Sequence, residues 1–397
     1  MYSQVRKSAL MCKTDISDAF KLVPILPSQY HLFCVKWRNS YYFYTRLAFG
    51  CRSSPKIFDQ FSQAICWIAK NNYEIECILH LLDDFLTIDR PDYPAERTMA
   101  ILTLIFKRLN VPLAKNKTMG PNTVMEYLGI ILDSNLMQAR LPMDKVLRIR
   151  EMLDSFYVKK SCTKRELLQL LGHLNFASRV IIPGRSFVSY LLRLASSVRE
   201  LHHYVHLNSE CREDLYMWKL FLEQWNGISF FYDIERTPAD SMHLYTDASS
   251  TLGFGGYYEK QWFCDKWPKD LPKEDDKEIS MAFRELYPIV IAAILWGHLW
   301  TAKRILFYCD NEATVKIIQK GRSKTLSIMK LMRQLTWCSA KYNFCIYSEH
   351  LPGKTNLIAD ALSRFQMQKF RQLAPNANSQ PLHCPPMEKV LWRIPAD

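Results

Sequence analysis

The chain has 397 residues, enough for two or three domains that each bury a core. Hydrophobic residues make up 48% and aromatic residues 13%, which excludes a disordered polymer. The 52 Lys and Arg outnumber 39 Asp and Glu to leave +13, a surplus that favours a polyanionic partner, nucleic acid before an acidic membrane.

Residues 10–26 open with an apolar strand that runs into Asp15, and Phe20 follows five residues later. Residues 30–45 then alternate (Leu32, Phe33, Val35, Trp37, Tyr41 to Tyr44), which predicts a β-hairpin turning near Arg38-Asn39-Ser40. A glycine-containing loop, Leu47-Ala48-Phe49-Gly50-Cys51-Arg52-Ser53-Ser54-Pro55, ends where a helix can begin. Beyond it Ile57, Phe58, Phe61, Ile65 and Ile68 recur at helical spacing. Residues 77–82 read as a buried strand and 85–88 as its return, so Asp83 and Asp84 fall at the tip of a tight hairpin. Two adjacent carboxylates between apolar residues repel each other and resist desolvation unless a cation neutralises them, and a hard divalent metal suits carboxylate oxygens. The alternative is an Asp-Asp turn that simply faces water. Residues 95–110 form a helix with Met99, Ile101, Leu102, Ile105 and Leu109 on one face, with Lys115 and Lys117 just beyond. Residues 127–132 are a further strand, and the whole order describes an α+β sheet with its helices on one face.

Asp15-Ile16-Ser17-Asp18-Ala19-Phe20, Leu47-Ala48-Phe49-Gly50 with Pro55, and Leu82-Asp83-Asp84, in this order and spacing, resemble the palm of a reverse transcriptase. The resemblance implies that Asp15 and Asp83, with Asp84 beside them, hold two Mg²⁺ ions for in-line phosphoryl transfer. It also implies that Phe20 lies under the incoming sugar, that Gly50 lets backbone approach the template base pair, and that Lys117 sits near the triphosphate. From the residues alone, Phe20 reads equally as a core aromatic, Gly50 as a turn glycine and Lys117 as a solvated lysine. In that family a fingers subdomain precedes the first metal-binding aspartate. Only fourteen residues precede Asp15 here, so the fingers are expected to be truncated and nucleotide addition by this chain alone is open.

Residues 141–226 read as mostly helical, with helices at 143–156, 163–178, 187–201 and 208–225, the second opened by Thr163 with Glu166 three residues on. Between Lys159 and Arg193 stand seven basic residues and one acidic, either a solvated face or a contact for a duplex backbone. Leu170 to Phe176 and Ile182-Pro183-Gly184-Arg185 resemble the thumb and connection of retroelement polymerases, particularly the DIRS-type group that carries a tyrosine recombinase. No recombinase follows here, which the resemblance reads as a fragment of a longer product. His202 and His206 are spaced to share a helix face, without a cysteine or acid to complete a metal site.

From residue 241 strands and helices alternate. Residues 243–249 form a strand ending in an acid, Asp247; residues 253–258 form a glycine-rich strand, with a short one at 261–264. A long helix over 280–300 carries Glu285 near its start, and a buried strand over 304–311 ends in Asp310. Two more helices and a strand over 344–348 lead to His350, Asn356 and a last helix bearing Asp360. Four acids brought to one point in a mixed α/β fold require cations. This stretch, with its Ala359-Asp360-Ala361-Leu362-Ser363-Arg364 ending, resembles the ribonuclease H domain that follows the polymerase in retroelements. The resemblance implies that Asp247, Glu285, Asp310 and Asp360 bind two Mg²⁺, that His350 on a loop relays a proton to the leaving group, and that Asn356 orders that loop or touches substrate. As an alternative, His350 is an ordinary loop histidine. Gly253, Gly255 and Gly256 are either a flexible turn or a bare strand that approaches a minor groove.

These readings predict a palm with truncated fingers over 1–140, a helical thumb and connection over 141–238, an α/β ribonuclease H-like domain over 239–366 and a proline-containing linker over 367–397. The function expected is RNA-directed DNA polymerisation coupled to hydrolysis of RNA in RNA–DNA hybrids. Its rivals are a hybrid ribonuclease with an inactive polymerase and a non-catalytic nucleic-acid-binding relic. Mg²⁺, two per site, is the expected cofactor, with Mn²⁺ as an alternative; RNA template, DNA primer, RNA–DNA hybrid and dNTPs are the expected partners. Twelve cysteines without a Cys-x-x-Cys pair, no amino-terminal apolar signal and a longest apolar run of twelve residues (289–300) point to an intracellular chain, cytoplasmic or nuclear, with no transmembrane segment.

Overall fold

The computed structural model describes residues 6–92, 94–224, 228–230, 237–238, 240–242, 244–269, 271, 279–350 and 356–393. The chain divides into two compact units, Met1–Pro142 and Met143–Asp397.

The first unit is built on β1 (Leu10–Asp15), β4 (Ile78–Leu81), β5 (Asp84–Asp89) and β6 (Met119–Asn122), in the order β4-β5-β1-β6 and antiparallel throughout. A separate hairpin, β2 (Cys34–Trp37) with β3 (Ser40–Phe43), turns on Arg38 and Asn39, both at positive φ, as a two-residue loop requires. Helix α1 (Ser54–Tyr73) starts with a proline in its first turn and puts Phe58, Ile65 and Ala69 on one buried stripe. Helix α2 (Ala95–Arg108) adds Leu102, Ile105 and Phe106, and both stripes pack with Ile78 and Phe85 of the sheet in one core. Each such side chain, once fully buried, contributes roughly 1.5–3 kcal/mol.

The strand expected over residues 127–132 is two strands. β7 (Val124–Tyr127) and β8 (Ile130–Asp133) form a hairpin on Leu128 and Gly129, at φ 50° and 75°, and β8 pairs on with β9 (Gln138–Arg140). The glycine inside an apolar run was the turn signal.

In the second unit α3 (Met143–Val158), α4 (Lys164–Ala177), α5 (Ser189–Ser196) and α6 (Ser209–Gln224) form the helical part. Thr163 and Glu166 make a reciprocal capping box at the start of α4. Two expectations fail here. α5 stops at Ser196, short of residue 201, and β10 (Ser161–Thr163) pairs with β11 (Tyr204–His206) to clip the helices together. His202 and His206 therefore share no helix face, because β-branched Val205 is buried opposite Cys162 in a strand.

After β12 (Ile228–Phe230) and β13 (Thr237–Pro238) comes the α/β part. β14 (Leu244–Ala248), β15 (Gly253–Tyr258) and β16 (Gln261–Lys266) form an antiparallel sheet. β13, β17 (Arg304–Cys309) and β18 (Cys345–His350) form a parallel one. Helix α7 (Met281–Trp296) is its apolar centre, burying Phe283, Leu286, Ile289, Val290 and Ala293. Among the described residues Met281–Leu299 is the segment long and apolar enough to cross a bilayer, and 72% of it is buried inside this fold. α8 (Glu312–Lys320), α9 (Leu326–Tyr342) and α10 (Leu357–Ser363) complete the part.

The glycine-rich strand faces protein. A Cβ on Gly255 would stand 2.5 Å from the Leu362 Cβ of α10, and one on Gly256 would stand 2.5 Å from the Phe263 ring. These glycines let α10 and a ring lie against β15, which neither a flexible turn nor a bare groove-facing strand describes.

Residues 367–393 pack into the fold, where a linker was expected over 367–397. Phe370 on α11 (Met367–Leu373) is buried with its ring centroid 5.1 Å from that of Trp262, and Val390 of α12 (Met387–Val390), Leu391 and Trp392 enter the buried core. The apolar spacing of Phe370, Val390, Leu391 and Trp392 outweighs the prolines between them.

A buried charge cluster joins the helical and α/β parts. Arg333 of α9, 1% exposed, bonds Glu213 at 2.6 Å and pairs with fully buried Asp214, both on α6. The guanidinium lies 4.3 Å from the Tyr190 ring centroid, and Asp214 Oδ2 accepts the Tyr190 N–H at 2.9 Å. Burial pushes the Asp214 carboxyl up against the pull of Arg333 and of two backbone N–H groups.

Candidate active sites

In the first unit, β1 and β5 bring the acids together. Asp15 stands directly opposite Asp84 in the ladder, and Asp83 sits in the two-residue turn between β4 and β5, its carbonyl accepting the Ile16 N–H at 3.1 Å. The tight hairpin tip read from the sequence is what forms. Asp15 is 4% exposed. Burial raises the Asp84 carboxyl, Lys13 lowers it, and Asp15 and Asp83 raise it further.

Two lysines balance these charges. Lys117, at the end of a short 3₁₀ turn, places Nζ 3.0 Å from Asp15 Oδ2, and that hydrogen bond raises its ammonium. Lys13 Nζ lies 3.7 Å from Asp84 Oδ1. Sequence reading passed over Lys13, although two residues before Asp15 on one strand puts both on the same face. Phe20 is not beside the acids' carboxyl groups in any described contact; its ring packs edge-on against Phe49 and Phe58, at 4.9 and 5.4 Å. Gly50 is exposed at φ 83°, with open space where a Cβ would stand.

In the second unit Asp247, Glu285, Asp310 and Asp360 line one cavity of about 420 Å³ with Ala248, Met281 and Arg364. Asp247 comes from β14, Glu285 from the second turn of α7, Asp310 from the end of β17 and Asp360 from α10. Burial, then Asp247 and Asp310, push the Glu285 carboxyl up to about 9. Asp247 is raised by burial and by Asp360 and Asp310, while a hydrogen bond from Ser363 opposes them. Ser363 Oγ donates to Asp247 Oδ2 at 2.6 Å, and Arg364 Nε donates to Asp360 Oδ1 at 2.6 Å. Both partners lie three and four residues beyond Asp360, the spacing at which helical side chains meet, which was the signal available for them.

A cation held among these carboxylates would offset their mutual repulsion. Carboxylate oxygens are the donor set of Mg²⁺ or Mn²⁺. Cys309 Sγ lies within 4.8 Å of ligand atoms of Glu285 and Asp310, but burial pushes that thiol up to about 12, so it offers no thiolate. The residues present fit a hard divalent ion.

His350 ends β18 opposite Cys309, which corrects its placement on a loop; Nε2 lies 3.1 Å from the Asp310 carbonyl oxygen and the side chain is exposed. The β-period of residues 345–350 simply runs two residues further than read. Asn356 precedes α10 and donates from Nδ2 to the Thr246 carbonyl at 2.8 Å, tying the helix of Asp360 to the strand of Asp247. Its buried Oδ1 has no hydrogen-bond partner among the described residues.

Residues 1–132 match the sequence model of the family described as reverse transcriptase (RNA-dependent DNA polymerase). Residues 1–132 carry a reverse transcriptase domain. The "Retrovirus-related Pol polyprotein from transposon opus" of Drosophila melanogaster is 22% identical over 379 residues, covering 92% of this chain and 35% of the relative. The Transposon Tf2-3 polyprotein of Schizosaccharomyces pombe is 20% identical over 385 residues, covering 92% and 26%. This chain thus spans about a third or less of the length of these curated relatives. Among solved structures, a foamy viral protease–reverse transcriptase in complex with double-stranded DNA aligns with TM-score 0.49 and 18% identity, over 87% of this chain and 57% of that one. The same viral protein with an RNA/DNA hybrid aligns with TM-score 0.48 and 17% identity, over 87% and 44%.

Proposed function

We propose that the chain is the reverse transcriptase and ribonuclease H portion of a retrotransposon product. It would extend a DNA primer on an RNA template and hydrolyse the RNA strand of the hybrid. The observation that carries the first activity is Asp15 opposite Asp84, with Asp83 in the adjoining turn, inside the matched domain. Convergence of Asp247, Glu285, Asp310 and Asp360 on one cavity supports the second. The DIRS-type subgroup rests on residues 170–185 alone.

Reverse transcriptases generally use divalent metals, and bound at either cluster such ions would activate the attacking oxygen and stabilise the leaving one. The protein's part is placement. Asp15, Asp83 and Asp84 would hold ions at the sheet surface, and Lys117 would exchange Asp15 for the triphosphate of the incoming nucleotide. Lys13 pulls the Asp84 carboxyl down against burial and its acidic neighbours. Phe20, Gly50 and Asn356 shape the surroundings, the first by bracing the sugar side of the site. In the second site Ser363 and Arg364 orient Asp247 and Asp360, and the exposed ring of His350 carries a proton to the departing 3′ oxygen.

Purified chain with Mg²⁺ is expected to extend a primer on RNA and to cut the RNA of a hybrid. Asp83→Asn abolishes only the first and Asp247→Asn only the second. Equal hybrid cleavage by the Asp247→Asn variant and the parent would remove the ribonuclease reading, and equal extension by Asp83→Asn the polymerase reading.

A further inference from the structure

Leu82 is the strained point of the acidic turn in the first unit. It stands at φ 54°, while Asp83 beside it does not take a positive φ. In a two-residue hairpin loop this pattern favours glycine at the first position, because a Cβ there is crowded. A leucine persists in such a conformation only where its surroundings hold it.

Helix α1 supplies the hold. Ser62, fully buried, donates from Oγ to the Leu82 carbonyl at 2.7 Å. A buried helical hydroxyl can satisfy itself on its own helix, as Thr103 of α2 does on the Met99 carbonyl at 2.8 Å. Ser62 instead reaches across to the turn. The carbonyl it meets belongs to the central peptide, between Leu82 and Asp83. Flipping that peptide interconverts the two common two-residue turns, and the flipped form puts the second residue at positive φ as well. Aspartate tolerates that region better than most residues, so Asp83 itself does not block the flip. The flip would re-aim the Asp83 side chain. Neighbouring groups have separate ties. Asp59 and Cys66, on the same face of α1 as Ser62, flank His80 of β4, with Asp59 Oδ1 3.1 Å from Nε2 and Cys66 Sγ 3.4 Å from Nδ1. Tyr127 donates its hydroxyl to the Asp84 carbonyl at 3.2 Å.

We infer that Ser62 is a positioning residue for nucleotide addition. Its hydroxyl holds the Leu82–Asp83 peptide in one of two orientations, so that the Asp83 carboxylate is already aimed beside Asp15 and Asp84 when a divalent ion arrives. This role rests on the polymerase reading, since that is the chemistry Asp83 serves.

The test is titration calorimetry of the full chain with Mn²⁺, counting the binding that Asp83→Asn removes, beside melting temperature and primer extension. Ser62→Ala is expected to weaken that binding about tenfold, the scale on which groups that orient ligands act. The Mg²⁺ needed for half-maximal extension should rise by a similar factor, with KM for primer and dNTP within about twofold of the parent. Ile65→Val trims another fully buried side chain of α1 without touching the turn, and should keep parental Mn²⁺ affinity. Ser62→Thr keeps a hydroxyl and should recover most of the loss. Parental Mn²⁺ affinity in Ser62→Ala overturns the inference. So does an equal loss in Ile65→Val, which makes Ser62 a packing residue, and so does a threonine variant that melts with the parent yet binds Mn²⁺ like alanine. Extension that survives Asp83→Asn removes the polymerase reading itself. Extension lost in Asp83→Asn but parental in Ser62→Ala, with parental Mn²⁺ affinity, removes the positioning role and leaves that reading standing.

Discussion

The Ser363 hydroxyl donates to Asp247 Oδ2 at 2.6 Å, with the Asp360 carbonyl oxygen 3.1 Å away as the alternative acceptor of the same proton. One buried side chain thereby connects the strand-end acid to the helix that carries the other. Ser363→Ala should cost about 10- to 100-fold in divalent-ion affinity, read by titration calorimetry with Mn²⁺, because groups that orient ligands act on that scale. Ser363→Thr should restore most of it. An alanine variant with parental affinity would show the hydroxyl to be incidental.

Glu285 gives a pH signature. Its carboxyl is raised to about 9 by burial and by Asp247 and Asp310, so without metal the folded chain holds a proton that the unfolded chain releases above its ordinary range near 4.5. The stabilisation is complete below that range and is lost as pH rises toward about 9. Metal-free protein should therefore melt at progressively lower temperature from pH 5 to pH 8, an order-of-magnitude expectation set by linkage. Glu285→Gln should flatten that slope and raise the pH 8 melting temperature by roughly 2–4 °C for each kcal/mol recovered. The same variant should gain less from added Mg²⁺.

Gly255→Ala tests the packing of α10. A Cβ there meets Leu362 at 2.5 Å, so the helix must move. A loss of about 1–3 kcal/mol is expected in denaturant titration, the usual scale of overpacking. Hybrid cleavage should fall more steeply than stability, since Asp360 travels with the helix, while primer extension stays at the parental rate.

Arg333→Ala should destabilise the second unit by about 3–5 kcal/mol, because Asp214 would be left buried without its counter-charge, to be carried as an unpaired carboxylate or neutralised by taking up a proton. Arg333→Met paired with Asp214→Asn should recover much of the loss. Chemical denaturation of the parent, Arg333→Met, Asp214→Asn and the double variant gives the coupling directly.

Local pattern explains which parts were readable. The apolar runs over 77–82 and 85–88 placed Asp83 and Asp84 at a hairpin tip, and strand-end acids at Asp247 and Asp310 announced themselves by the polar break after apolar runs. Thr163 and Glu166 gave a helix start by reciprocal hydrogen bonding. Hidden were features that depend on what another segment brings. Gly255 and Gly256 are bare because α10 and Phe263 arrive against them. The roles of Lys13 and Arg333 emerge only when Asp84 and Asp214 come close from distant positions. The prolines after residue 374 suggested a tether, yet Trp392 packs its ring 5.6 Å from Trp337.

The Arg333–Asp214 pair also sets where the chain can be divided. Severing the backbone near residue 239 would leave each piece with half of a buried ion pair, so neither piece could be expected to remain soluble. A cut near residue 142, between the two units, leaves this pair whole within the second. Helices α3–α6 and the candidate ribonuclease therefore should be inherited, released and degraded as one piece.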